Sequence, residues 1–277
     1  MVQIDKNRCN SCNKCVRDCT AHAIDIRHYT VSELCIFCGH CVAICPQSAI
    51  TMNGNAIVDL QPQRITPQDF RTLCAHTRSC RSFERKPIDP EVLRQLAEIT
   101  AHAPSASNVR GVELSIVANP DLLKTLNTDV SSELLKMFRL LTLPVIKQVI
   151  QVLTSKAQVY KLEKYVEKFT RAQREGKQNI SFGAPAVVLF HARHETLGML
   201  ETDASIWASY CSLYASSFGL GTCFNGFIAK AFGKNKSLQT RYGIPKSHKV
   251  YIALMLGYPT RGYLHETSRN AAHTNIV

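Results

Sequence analysis

The sequence predicts a mixed helix-and-sheet protein of two unequal domains: a small cysteine-rich one over residues 1–60 and a larger one over residues 71–277, joined by a linker at 61–70. Three observations carry this. The chain has 277 residues, 45% hydrophobic and 19% charged, enough at ~100–200 residues per domain for one large or two unequal cores. Eight of its 12 cysteines crowd between Cys9 and Cys45, far denser than packing requires. Beyond Pro67, short runs rich in Val, Ile and Leu alternate with segments of helical spacing. No apolar run approaches the ~18 residues of a bilayer span, so no membrane role is expected. The first residues lack a secretory pattern, which points to a reducing cytoplasm, where crowded cysteines serve as metal ligands or redox centres. Thirty-three Lys and Arg against 21 Asp and Glu leave a formal charge of +12. No basic block with interleaved aromatics accompanies it, so no nucleic-acid groove is expected.

The small domain is a repeat. Cys9, Cys12, Cys15 and Cys19 recur 26 positions later as Cys35, Cys38, Cys41 and Cys45, and the register continues through Val16 and Val42, Ala23 and Ala49, Ile24 and Ile50, and Ile26 and Met52. Each half reads C-x2-C-x2-C-x3-C, and residues 1 to about 58 resemble the bacterial two-cluster ferredoxins. The resemblance implies two [4Fe–4S] clusters with crossed ligands: Cys9, Cys12, Cys15 and Cys45 on one, Cys35, Cys38, Cys41 and Cys19 on the other. Pro46 follows the last cysteine as the pattern expects, whereas Thr20 stands at the matching place in the first half. A pair of zinc sites is the alternative, although structural zinc usually separates its two C-x2-C knuckles by a longer spacer. His22, His28 and His40 read as surface or packing residues, since sulfur fills all eight ligand places.

The stretch from Asp59 to Pro67 has two prolines and little periodicity, which suits a connection. In the larger domain, Asp89 as N-cap and Pro90 at the first helical position start a helix that buries Val92, Leu93, Leu96, Ile99 and Ala103 and stops at Pro104. Residues 113–118, 186–192 and 250–256 read as strands of a sheet covered on both faces. Residues 120–180 form a Leu- and Lys-rich helical insertion broken at Pro144; a lid over a cofactor pocket and an extra packing layer are both open readings. Asp203 to Phe218 is apolar over too wide an arc for a surface helix and is expected at the centre or at an interface.

Three segments carry candidate chemistry. Arg78, Ser79, Arg81 and Ser82 put two guanidiniums and two hydroxyls within five residues, a set that can hold a phosphate. Ala103-Pro104-Ser105-Ala106-Ser107-Asn108 is a turn of small residues suited to close approach by a planar ligand. Gly219, Gly221 and Gly226 end the long helix and let the chain pass against something flat. This last run is no dinucleotide fingerprint, because it follows a helix and spaces its third glycine wrongly. Cys74, Cys80, Cys211 and Cys223 read as packed thiols, Cys223 with no base or cation evident beside it. His191 and His194 show no carboxylate or cysteine partner in the pattern and are not expected to bind metal.

In order and spacing, Arg78 to Phe83, Ala103 to Asn108, Gly183 to Ala186, Asp203 to Thr222, Leu256 to Pro259 and Arg269 resemble the motifs of the nitroreductase-like flavoprotein family. With the ferredoxin module, the chain looks like a ferredoxin–nitroreductase fusion. The resemblance implies an α+β fold: a two-cluster ferredoxin-like domain, then a three-layer α/β/α FMN domain that forms a homodimer with one FMN per subunit at the interface. By position, Arg78, Ser79 and Arg81 bind the FMN phosphate, ribityl and pyrimidine edge, and Arg269 adds a phosphate contact. Pro104, Ser105, Ser107 and Asn108 reach the flavin from the partner chain. Asn225 and Gly226 lie beside flavin N5 and act through backbone amides; no side chain is assigned as catalytic. Thr77 and Thr267 stand where many relatives carry a basic residue, and Arg110-Gly111-Val112 replaces a frequent Gln-Pro-Trp.

The expected activity is transfer of electrons from the clusters to FMN, then as a hydride or electron pair to a flat electron-poor small molecule such as a nitroaromatic, quinone or activated alkene. Reductive dehalogenation on the same flavin fold is a rival. A relay between protein carriers is another, since the positive charge suits an acidic ferredoxin or flavodoxin as donor.

Overall fold

The computed structural model describes residues 1–153, 155–177, 179–233 and 235–276. It groups the chain into two units, one of Met1–Ile65 with Ser105–Arg110, the other of Thr66–Pro104 with Gly111–Val277.

The first unit is built twice from one pattern. Strand β1 (Val2–Ile4) is followed by α1 (Lys14–Asp18), β2 (Ile24–Asp25), β3 (Thr30–Val31), α2 (His40–Ile44) and β4 (Ile50–Met52). β1 pairs antiparallel with β4 and β2 with β3. Backbone conformation repeats with the sequence: Ser11 and Phe37, Asn13 and Gly39, and His22 and Ser48 all have positive φ, each pair 26 residues apart. The core is small. Val2, Cys15 and Ile50 are buried, with Val16, Val42, Ile24, Ile26 and Met52 packed around them.

The second unit opens with α3 (Pro67–His76), begun by a reciprocal capping box between Thr66 and Asp69. Helix α4 (Pro90–Glu98) starts as expected: the Asp89 side chain accepts from the Glu91 N–H, and a tight turn at Ile99–His102 ends the segment before Pro104. There follow β5 (Val112–Val117), α5 (Pro120–Leu141), α6 (Pro144–Leu153), α7 (Lys156–Arg174), β6 (Ala186–Arg193) and α8 (Leu200–Ser217). β7 (Gly221–Phe224), α9 (Gly226–Phe232), α10 (Lys236–Arg241) and β8 (His248–Gly257) complete it.

The four strands form one antiparallel sheet in the order β5-β6-β8-β7. β6 is buried from Ala186 to Ala192, and its alternation divides two cores. Val187 and Leu189 join Phe138, Phe169 and Phe232 on one face; Ala186, Val188 and Phe190 join Leu96 and Trp207 on the other. The result is a three-layer α/β/α arrangement with α5, α7 and α9 on one side and α4 and α8 on the other. Phe138 stacks on Tyr165 and Phe169 at 5.3 and 5.7 Å, and Phe227 meets Phe169 edge-on, so the aromatic cluster ties α5 and α7 to α9. The intervening α6 keeps Val145, Val149 and Val152 exposed.

Sequence reasoning missed β7, whose four residues sit between glycines and show no alternation. Gly221 is also required by packing within the chain. A Cβ there would lie 2.8 Å from the Cys80 Cβ, so the close approach is to Cys80, across the bridge that Cys80 N–H makes to the Thr222 carbonyl. Gly257 is tighter still, since its Cβ would lie 2.5 Å from Pro185 Cδ and 2.8 Å from Phe83 Cδ1. Gly257→Ala is therefore expected to cost ~1–3 kcal/mol and several degrees of melting temperature. Gly262→Ala, with nothing within 4 Å of its added methyl, should leave the melting curve unchanged.

Candidate functional site

The eight crowded cysteines gather as two sets of four around two separate cavities. One is lined by Cys9, Cys12, Cys15 and Cys45, the other by Cys19, Cys35, Cys38 and Cys41. Each set thus takes three cysteines from one repeat and the last from the other. Backbone amides point at the sulfurs with the same symmetry: Ser11 N–H donates to Cys9 Sγ and Phe37 N–H to Cys35 Sγ, both at 3.4 Å, and Ala23 and Ala49 donate to Cys19 and Cys45 at 3.4 and 3.3 Å. The left-handed residues at 11, 13, 37 and 39 curl the loops so that these amides turn inward, an arrangement that favours negative charge. His28 pairs with Asp25 at 2.7 Å and His40 with Asp18 at 3.7 Å, both on the surface.

In the second unit an open pocket is lined by Thr77, Arg78, Cys80, Gly219, Gly221, Thr222, Pro259, Arg261 and Tyr263, among others. Arg78 is held at its mouth by two bonds from Nη1, to the carbonyls of Ala75 (2.6 Å) and Thr77 (2.9 Å), which leaves Nε and Nη2 for an anion. Ser79 forms a parallel bridge with Thr222. Arg81 and Ser79 lie beside Cys223: burial pushes that thiol up, while the guanidinium and the hydroxyl pull it down. The chain pattern shows no cation near this cysteine; tertiary contact supplies one. Arg269 is on the extended tail and does not line this pocket, whereas Arg261, two residues beyond Pro259, does. Arg261 is a residue that sequence reasoning missed, although it is the first arginine after the Leu-Gly-Tyr-Pro motif.

Among the turn residues, the Pro104 carbonyl accepts from Trp207 Nε1 at 3.2 Å, and Ser105 Oγ accepts from Arg110 N–H. Ser107 and Asn108 both have positive φ, +49° and +53°, backbone that L residues adopt at a cost. In the first unit, Asn108 Nδ2 donates to the carbonyls of Ile36 and Phe37 at 2.9 Å each, inside the loop between Cys35 and Cys38. Asn225 is buried and committed to structure. Its side-chain oxygen caps α9 by accepting from Phe227 and Ile228, its Nδ2 donates to the Ile180 carbonyl, and its own N–H donates to Ala253. Gly226, next in line, is exposed at the first position of α9.

The remaining cysteines differ in setting. Cys211 is buried with its Sγ 3.1 Å from the Leu96 carbonyl, and burial pushes its thiol up to about 12; Cys80 is buried and Cys74 exposed. His191, for which the sequence pattern shows no carboxylate or cysteine partner, is met by residues of other strands. Its Nδ1 is 2.9 Å from His248 Nδ1, its Nε2 is 2.9 Å from Ser115 Oγ, and Glu113 lies close by on β5. These partners come from other strands and leave no local pattern in the sequence. Burial, with His248 adjacent, holds His191 down at about 4, hence neutral at ordinary pH.

Compared with known protein families, residues 74–258 match the model of the Nitroreductase family, more than half of the chain. The chain belongs to the nitroreductase family. Residues 28–51 match the 4Fe-4S binding domain, a span that holds Cys35, Cys38, Cys41 and Cys45. This nitroreductase-family oxidoreductase thus carries an iron–sulfur module at its N-terminal end. Among solved structures it is similar to a nitroreductase with bound FMN from Bacteroides fragilis (20% identity, TM-score 0.56, 76% of this chain and 98% of that one). It is also similar to one with bound FMN from Desulfitobacterium hafniense (18% identity, TM-score 0.56, 75% and 98%). At these identities the likeness is one of fold. Of curated proteins, a component of the ion-translocating oxidoreductase complex of Methanosarcina acetivorans is 45% identical over 47 residues, 16% of this chain and 18% of that protein. Among the described residues no helix is long and apolar enough to cross a membrane.

Proposed function

We propose that this nitroreductase-family chain is an iron–sulfur flavoenzyme that takes low-potential electrons through two [4Fe–4S] clusters to FMN and reduces a flat electron-poor acceptor, such as a nitroaromatic, quinone or activated alkene. The observation that carries this reading is the gathering of eight thiols as two sets of four in a chain of this family. Four sulfurs per cavity with inward amides suit the donor demand of an iron–sulfur cube; no histidine lines the cavity of Cys9, Cys12, Cys15 and Cys45, and His40 lines the other. FMN, when bound, accepts electrons singly and releases them in pairs.

The chain's own residues bind and orient. Arg78, already immobilised through Nη1, and Arg261 in the lining of the same pocket would supply two guanidiniums for the FMN phosphate. Ser79 and Arg81 would serve the ribityl and pyrimidine edge of FMN, and the Gly226 amide would be the donor available beside N5, since the Asn225 amide is spent on the Ala253 carbonyl. In a homodimer, Pro104, Ser105, Ser107 and Asn108 of the second copy complete the flavin site. Within the first unit, Asn108 also bonds the loop between Cys35 and Cys38.

Anaerobic purification followed by iron, sulfide and flavin quantitation tests the reading. About eight irons and one FMN per chain are expected, with the flavin band bleaching when the clusters are reduced. Eight irons without flavin would sink it. The formal charge of +12 favours a second reading, a relay between protein carriers. Salt-sensitive exchange with an acidic ferredoxin, without turnover of any small acceptor, would select that reading.

A further inference from the structure

We propose a divalent-cation site, of the kind that takes zinc, formed by Glu113, His191 and His248 on one face of the large sheet. The three residues come from adjacent strands. Glu113 of β5 pairs directly with His191 of β6, and His248 at the start of β8 pairs with Arg193, two residues on, so all three share a face. A register shift between Phe190 and His191 sets the local geometry, and such bulges commonly re-aim a side chain.

The candidate ligand atoms lie near one another, with Glu113 Oε1 4.0 Å from His248 Nε2. His191 Nδ1 and His248 Nδ1 are 2.9 Å apart, close to the roughly 3.3 Å that separates two nitrogens on a tetrahedral zinc. One ligand atom from each of the three residues lies within 4.8 Å of the others. Ser115 Oγ lies 2.9 Å from His191 Nε2 and can accept an Nε2–H; in that tautomer Nδ1 carries the lone pair, with the outer support that metal-binding histidines characteristically have. Access is also built in: His191 is 2% exposed and fixes the inner end, while the Glu113 side chain is 61% exposed and can close over an entering ion. Two imidazoles and one carboxylate match zinc sites that keep a fourth position for water.

The test uses the anaerobically purified holoprotein in a Cys74→Ser background, which removes the exposed thiol among the four non-cluster cysteines. Zinc chloride is titrated against a weak competing chelator, and bound zinc and iron are measured together so that intact clusters are verified in each sample. About one zinc per chain is expected, at least ~100-fold weaker in His248→Ala and roughly 10-fold weaker or more in Glu113→Gln and Ser115→Ala. No zinc uptake at micromolar concentrations, or equal uptake in His248→Ala, overturns the site. Should His248→Ala fail to fold, Glu113→Gln decides, because its exposed side chain can be changed without disturbing the sheet; unchanged zinc affinity there is equally fatal.

Discussion

Replacing Cys12 and Cys45 together with alanine is expected to remove no more iron than either change alone, about four of about eight irons, whereas Cys12→Ala with Cys19→Ala should empty both sites. The reason is the crossing of the two repeats: Cys12 and Cys45 line one cavity, and Cys19 lines the other with Cys35, Cys38 and Cys41. If each repeat held its own cluster, the pattern would reverse, with Cys12 and Cys19 equivalent and Cys12 and Cys45 additive. Iron and sulfide counts on the three single and two double variants decide it, and the reduced-state EPR signal should survive in every variant that keeps four irons. The same experiment reports on folding. The first unit buries only a few apolar side chains around Val2, Cys15 and Ile50, too little by itself to offset the chain entropy of some 60 residues. Loss of both clusters should therefore unfold the first unit and leave the second unit's helical signal in place, as for other small domains whose metal binding is their folding energy.

Arg78→Ala and Arg261→Ala are each expected to weaken FMN binding by roughly 10- to 150-fold, the value of ~1.5–3 kcal/mol for a hydrogen bond to a charged group. Arg269→Ala should change it less than threefold, because that residue lies outside the pocket that holds the other two. Flavin fluorescence on titrating the deflavinated protein measures all three. A large loss in Arg269→Ala with none in Arg261→Ala would reassign the second phosphate contact to the tail. Arg78→Lys is also informative: it retains charge but lacks the fork that bonds the Ala75 and Thr77 carbonyls while reaching an anion, so it should recover little of the affinity.

Much of the architecture was readable because it is written locally. Asp89 and Pro90 announce the start of α4, and the buried run of β6 announces a sheet covered on both faces, since each depends on residues adjacent in the chain. The helix expected from Asp203 begins instead at Leu200, one turn earlier, where the side-chain pattern shows no distinct cap. β7 was not readable. Its four residues are a strand only because β8 offers a free edge and because Gly221 lets Cys80, 141 positions earlier in the chain, pack against it.

The cysteine sets belong to the sequence. The 26-residue repeat of thiols carries the resemblance to two-cluster ferredoxins that implies the two sets, and backbone conformation repeats with it because similar short-range residue order meets the same steric limits twice. What only the tertiary structure decided lies in the second unit: Arg261 and Arg78 lining one pocket, Arg81 beside Cys223, and Glu113, His191 and His248 brought together from three strands. Each joins residues tens to more than a hundred positions apart, and such distances carry no periodicity for a reader of the chain. They are set by strand order and register, which follow from burying the apolar faces of β6 and β8 against helices on both sides of the sheet.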